Sequence, residues 1–173
     1  MQAPLFTEQQ HMRQWWLQLV LAVPAILVIW ALVQQLVFGV NFGNNPMSDM
    51  SLFLMAALVF GLSGLLWTAN LKTEYTAKHL QYRFFPFHWK DQHLNWSEVK
   101  QATLLRYRPI KDYGGWGLRY SVKNGKAFNV SGSLGLRIET KGGKKILFGT
   151  QDPEAIRKVF KELKLSLKDE LKK

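Results

Sequence analysis

The 173-residue chain contains no cysteine, which excludes disulfide scaffolds, thiolate zinc sites, iron–sulfur clusters and cysteine nucleophiles together. Charge is missing over long stretches as well: there is none from Gln14 to Ser48 and none from Met50 to Leu71. Acid is scarce where base is plentiful. Residues 1–71 hold one cation, Arg13, and two anions, Glu8 and Asp49, whereas residues 72–173 hold 22 cations and 10 anions. Also absent are a Gly-x-Ser-x-Gly elbow, a phosphate-binding glycine loop ending in Lys-Ser or Lys-Thr, and a helical His-Glu-x-x-His pair. His11, His79, His88 and His93 are the four histidines; none has helical metal-ligand spacing, so they read as surface or strand residues. Ten acids scattered among 22 cations offer no paired carboxylates for acid–base work. No enzyme, metal or cofactor is expected.

The uncharged stretches are the first thing present. Trp15 to Val33 has Gln18 as its one strongly polar side chain, and Met50 to Ala69 is relieved by Ser51, Ser63 and Thr68. About twenty apolar residues at ~1.5 Å each cross a hydrocarbon core of ~30 Å, so spans are expected at about 15–37 and 50–69. A signal peptide fits poorly, since its apolar region is only ~7 to 15 residues long. Asn41 to Asp49 is a turn-rich connector, which makes the two spans a hairpin. Trp15, Trp16 and Trp67 then fall at one interface, flanked by Arg13, Lys72 and Lys78, while the connector has no Lys or Arg. The aromatic-belt and positive-inside rules place both termini in the cytoplasm. Ala57, Gly61 and Gly64 offer small surfaces for packing the helices together, and Pro24 is a candidate kink. With no ionisable residue inside either span, a proton or ion relay lacks its carrier.

After Leu71 the pattern changes to short alternating segments rich in β-branched and aromatic residues. Strands are expected at 72–76, 79–85, 92–96, 99–107, 117–122, 127–130, 134–140 and 145–150. Lys123-Asn124-Gly125-Lys126 and Lys141-Gly142-Gly143-Lys144 supply turns. Asp152-Pro153-Glu154 supplies a helix N-cap and first turn, and Ile156, Val159, Phe160 and Leu163 recur on one helical face. The domain organisation expected is 1–70 for an N-terminal segment plus hairpin, 71–164 for the β domain and 165–173 for a frayed basic tail. Seven or eight antiparallel strands and one capping helix suggest a small, partly closed barrel, giving an α+β membrane protein.

Three stretches carry a resemblance: Pro109-Ile110-Lys111-Asp112-Tyr113-Gly114-Gly115-Trp116-Gly117-Leu118-Arg119, Ala127-Phe128-Asn129-Val130-Ser131-Gly132 and Gly149-Thr150-Gln151-Asp152-Pro153. They are similar to signature stretches of small prokaryotic two-span membrane proteins that bear a bacterial pleckstrin-homology-like domain, a family of unknown function. The resemblance covers roughly residues 71–163 and implies a bacterial or archaeal cell membrane. It implies fold more than activity. The first hairpin loop, about Ala77 and Lys78, has no room for the cation cluster of phosphoinositide-binding relatives. A general attraction to anionic lipid remains.

The candidate binding loop is Tyr113, Gly114, Gly115, Trp116 and Gly117 with Arg108, Lys111 and Arg119 around it. Consecutive glycines can aim N–H groups at an anion, or they can simply supply turn geometry while Trp116 packs. The expected role is a membrane-anchored binding or scaffolding module. Its partners would be anionic lipids and a membrane protein or second copy of the chain, with no nucleic acid. The alternative is an accessory subunit or lipid-handling protein with a site between domain and hairpin, and the third reading is an enzyme without a visible motif.

Overall fold

The computed structural model describes residues 3–171 and resolves into two compact units. One is residues 12–68; the other combines the chain up to His11 with the chain from Ala69 onward. The N-terminal segment is therefore not a leader to the hairpin. Phe6–His11 forms strand β1, and the expected boundary at residue 70 moves accordingly.

The helical unit contains α1 (Trp15–Leu32), which runs through Pro24 and continues as a π-helical turn over Val33–Val37, and α2 (Asp49–Trp67). Two helical stretches, Trp15–Val37 and Asp49–Trp67, are long and apolar enough to cross a membrane. Ser48 caps α2 by accepting from the Ser51 N–H. Gln35 Nε2 closes the connector by donating to Met47 O at 2.9 Å and Asp49 Oδ1 at 2.6 Å. The buried hairpin residues are Val28 and Ala31 on α1 and Leu52 and Ala56 on α2, each pair spaced for one helical face. Ala57, Gly61 and Gly64 are exposed. A Cβ added at Gly61 or Gly64 would meet nothing within 4 Å. The helices therefore pack on a different face from the expected small-residue stripe.

The β unit contains β2 (Asn70–Tyr75), β3 (His79–Phe85), β4 (Gln92–Asn95), β5 (Val99–Arg106), the short α3 (Pro109–Tyr113), β6 (Gly117–Ser121), β7 (Gly125–Asn129), β8 (Leu134–Thr140), β9 (Lys145–Gly149), α4 (Pro153–Glu162) and β10 (Leu167–Asp169). Among the described residues a closed barrel does not form. A 3₁₀ turn at Trp96–Glu98 separates β4 from β5, so the strands make two sheets. Their orders are β1-β2-β3-β4 and β10-β5-β8-β9-β7-β6. Two pairs, β10 with β5 and β7 with β9, are parallel; the remaining pairs are antiparallel.

Strand alternation sorts the side chains. β2 buries Leu71, Thr73 and Tyr75 and half-exposes the residues between. Facing aromatic rings join the two sheets: Tyr82 lies 4.8 Å from Phe148 and Phe84 6.4 Å from Phe128, while Phe128 and Phe148 stack on each other within the larger sheet at 5.6 Å. Helix α4 presents Ile156, Val159 and Phe160 inward, with Phe160 edge-on to Trp96 at 5.5 Å. Asp152 caps it as expected, its Oδ1 accepting from the Ala155 N–H at 2.9 Å. On the other face of the larger sheet, Leu105, Tyr107, Tyr113, Ala127 and Leu147 form a second cluster.

The stretch expected to fray is ordered in part. β10 runs beside β5, and the Asp169 carboxylate accepts from Arg157 Nε at 2.7 Å. The tail's last two residues, like the first two of the chain, lie outside the described residues.

Candidate functional site

The glycine-tryptophan string starts as a helix end. Gly114 adopts φ +76°, and the N–H groups of Gly114 and Gly115 donate to Ile110 O (2.9 Å) and Pro109 O (3.0 Å). This is the paired closure of a Schellman motif. The Gly117 N–H donates to Asn129 Oδ1 at 2.9 Å. The three glycine N–H groups are thus committed inside the protein, which removes the backbone donors an anion-binding nest would need.

Side chains around the string are committed as well. Trp116 is half-buried and its Nε1 donates to Gly132 O at 3.0 Å. Arg119 Nε donates to Trp116 O at 2.9 Å. Tyr113 is buried edge-on to Tyr107 at 5.9 Å, and Asn129 Nδ2 donates to Tyr107 Oη at 3.0 Å. Burial pushes the Tyr107 phenol up to about 12 and raises that of Tyr113. Arg108 and Lys111 are exposed and line a shallow groove with Arg106, Lys123 and Arg137. The structure brings the predicted residues together, and it uses most of them to hold α3 and β6 in place.

A second arrangement was not visible in the sequence. Between the sheets lies an open cleft of about 660 Å³ whose walls include Tyr82, His88, Phe128, Lys123, Lys126, Lys144 and Lys145. The parallel pairing of β7 with β9 sets Lys126 opposite Ile146, which brings the β6–β7 and β8–β9 turns side by side. Gly125 makes this possible. It has φ +78°, and a Cβ there would lie 2.2 Å from Lys145 O. Its lack of a side chain therefore serves close approach as well as turn geometry.

The cleft floor is aromatic, with Tyr82 5.1 Å and His88 5.3 Å from Phe128. Among the described residues no carboxylate lines it. Among the described residues none of its four lysines is ion-paired. Partial burial, and secondarily the charge of Lys126, lowers the His88 pKa. Burial raises that of Tyr82. Chemically the cleft can offer several ammonium donors and flat apolar faces to one ligand. Among the described residues no three His, Asp or Glu side chains converge as a metal site would require.

The third arrangement is a buried carboxylate. On β1, Glu8 Oε1 accepts from Gln10 Nε2 (2.9 Å) and the Gln151 N–H (2.6 Å), while Oε2 accepts from Thr150 Oγ1 (2.7 Å). Gln10 Nε2 also donates to Gly149 O at 2.8 Å. Desolvation raises the Glu8 pKa against these hydrogen bonds, which lower it. The group fastens β1 to the turn that leads into α4. In comparisons with protein families, curated proteins and solved structures, nothing matches this chain.

Proposed function

We propose that this protein is a membrane-anchored binding module, in which the helical hairpin spans the bilayer and a pleckstrin-homology-like β unit presents an anion-binding cleft on the cytoplasmic side. The observation that carries the binding role is the cleft itself: Lys126 and Lys144, with Lys123 at the edge, stand over an aromatic floor that, among the described residues, no carboxylate lines. Such a site favours a multiply charged phosphorylated ligand with a flat or apolar portion. The reading is binding and display, because the cleft offers ammonium groups that, among the described residues, no lining carboxylate partners. Anchoring is supported by the length and exposed apolar surface of the two helices. Orientation is supported by Arg13 and Lys72 beside the helices and by a connector without Lys or Arg.

The test is titration of the full chain, in nanodiscs of neutral lipid, with inorganic tripolyphosphate. Lys126→Glu with Lys144→Glu is expected to weaken binding about tenfold or more, a loss of ~1.4 kcal/mol or more. Lys111→Glu, at the glycine-tryptophan string, is expected to change it little. Equal losses would return the site to that string. For the anchor, a reporter after Lys173 is expected to be active inside the cell and one near Asn44 outside; the reverse overturns the orientation.

A further inference from the structure

The turn joining β3 to β4 carries Pro86-Phe87-His88-Trp89-Lys90. Its two large apolar side chains face solvent: Phe87 is 60% and Trp89 79% exposed. Each ring is braced from below, Phe87 stacked on Phe84 at 5.7 Å and Trp89 edge-on to Phe85 at 5.6 Å. The His88 N–H donates to Phe84 O at 2.8 Å, which fixes the turn. Arg83 and Gln81 hold Asp91 on its far side. Two exposed rings on so well-tied a turn are costly in water.

The strand register places this turn. His11 pairs with Asn70 and Asn70 with Phe85, so the turn follows directly from the strand ends at which the chain departs for α1 and returns from α2. The opposite end of the same strands is the β2–β3 turn, with exposed Ala77, about 17 Å away at ~3.3 Å per residue. Trp15 and Trp16 open α1 and Trp67 closes α2, next in sequence to that same sheet end.

We infer that Phe87 and Trp89 form a wedge that sits in the bilayer interface. The inference rests on the membrane reading proposed above and adds a second, non-spanning contact with lipid. Aromatic rings suit the headgroup level, where one side is apolar and the other wet. Lys90 follows Trp89 and can extend its ammonium toward lipid phosphate while its stem stays with the rings. The wedge keeps His88, which lies between the two rings in sequence and lines the lysine cleft, near the headgroup layer.

The chain has no native cysteine, so single spin labels can be placed without further change. Phe87→Cys, Trp89→Cys, Ala77→Cys and Leu58→Cys are each labelled in the full chain, reconstituted in vesicles of phosphatidylcholine with phosphatidylglycerol. Accessibility is read with oxygen, which partitions into lipid, and with a water-soluble nickel chelate. Labels at 58, 87 and 89 are expected to favour oxygen, with nickel access at 87 and 89 several-fold below that at 77. If 58 is lipid-shielded while 87 and 89 are as open to nickel as 77, the wedge is overturned and the anchor stands. Nickel access at 58 overturns the membrane reading and the wedge with it. Shielding of 87 and 89 from both reagents identifies a protein occupant and also overturns the lipid wedge.

Discussion

The two units of this chain treat apolar side chains in opposite ways. In the β unit, outside the β3–β4 turn and a few surface positions, the large apolar residues go inward: Leu80, Phe84, Leu104, Leu136, Ile138, Leu147, Phe148 and Ile156 are fully buried. In the hairpin they go outward, and Trp15, Ile26, Trp30, Met50, Leu54 and Leu58 are all exposed. At roughly 25 cal/mol per Å² of apolar surface, the first arrangement stabilises a fold from within. The second leaves a surface that something else must cover, and in the membrane reading that is lipid. The β unit therefore answers to core packing and the hairpin to its surroundings.

The largest expected effect comes from cutting between the units in two ways. A fragment beginning at Leu71 lacks β1, exposes the β2 edge and strands the partners of Glu8 and Gln10, so it is expected to aggregate. Joining His11 to Asn70 through a two-residue Asn-Gly turn in place of residues 12–69 is expected to give a soluble, cooperatively melting β unit, since those residues face each other in the ladder. Gel filtration and a thermal melt compare them, and equal behaviour would show that β1 is dispensable. Next in size, Phe160→Ala in the joined protein is expected to cost about 3–5 kcal/mol, because the ring is buried against Trp96. An unchanged melt would remove α4 from the core.

Trp116→Ala is expected to cost less, about 1–2 kcal/mol, from the lost hydrogen bond to Gly132 O and partial burial. In the full chain it should leave tripolyphosphate binding intact, so loss of binding without loss of stability would restore the string as a site. The smallest effect is a pH dependence. The folded state holds the Glu8 proton more tightly than the unfolded chain does. This contribution is therefore full below the ordinary carboxylate value of 4.5 and declines as pH rises through the raised folded value. Subtracting the melting curve of Glu8→Gln from that of the unaltered protein isolates the decline, and a flat difference from pH 4.5 upward would place Glu8 outside the linkage.

How much of this was legible depended on how local the signal was. His79–Phe85 and Leu134–Thr140 were read to the residue, because alternation and turn chemistry sit next to each other there. Strand β1 was not, since Phe-Thr-Glu-Gln-Gln-His reads as polar and its inward residues are Glu8 and Gln10. Burying them requires acceptors and donors more than a hundred residues away, at Gly149 to Gln151. The lysine cleft was hidden for a related reason. The turns that carry Lys126 and Lys144 come together through a parallel strand pair, which no hairpin signal encodes. The glycine-tryptophan string was legible as a turn, but the hydrogen-bond partners that occupy its N–H groups were not.

The pairing of β1 with β2 also has a consequence for the order of events during synthesis. β1 leaves the ribosome before β2 and lacks that partner until residues 12–69 have followed it. For a hairpin that crosses a bilayer, β1 meets β2 only if both helices have inserted and brought the chain back to its starting side. A single missed insertion strands the two strands in different compartments, with Glu8 and Gln10 unpartnered. Completion of the first sheet thus reports that the topology is right, and a chain that went in wrongly is left with an unpaired strand edge for quality-control proteases to find.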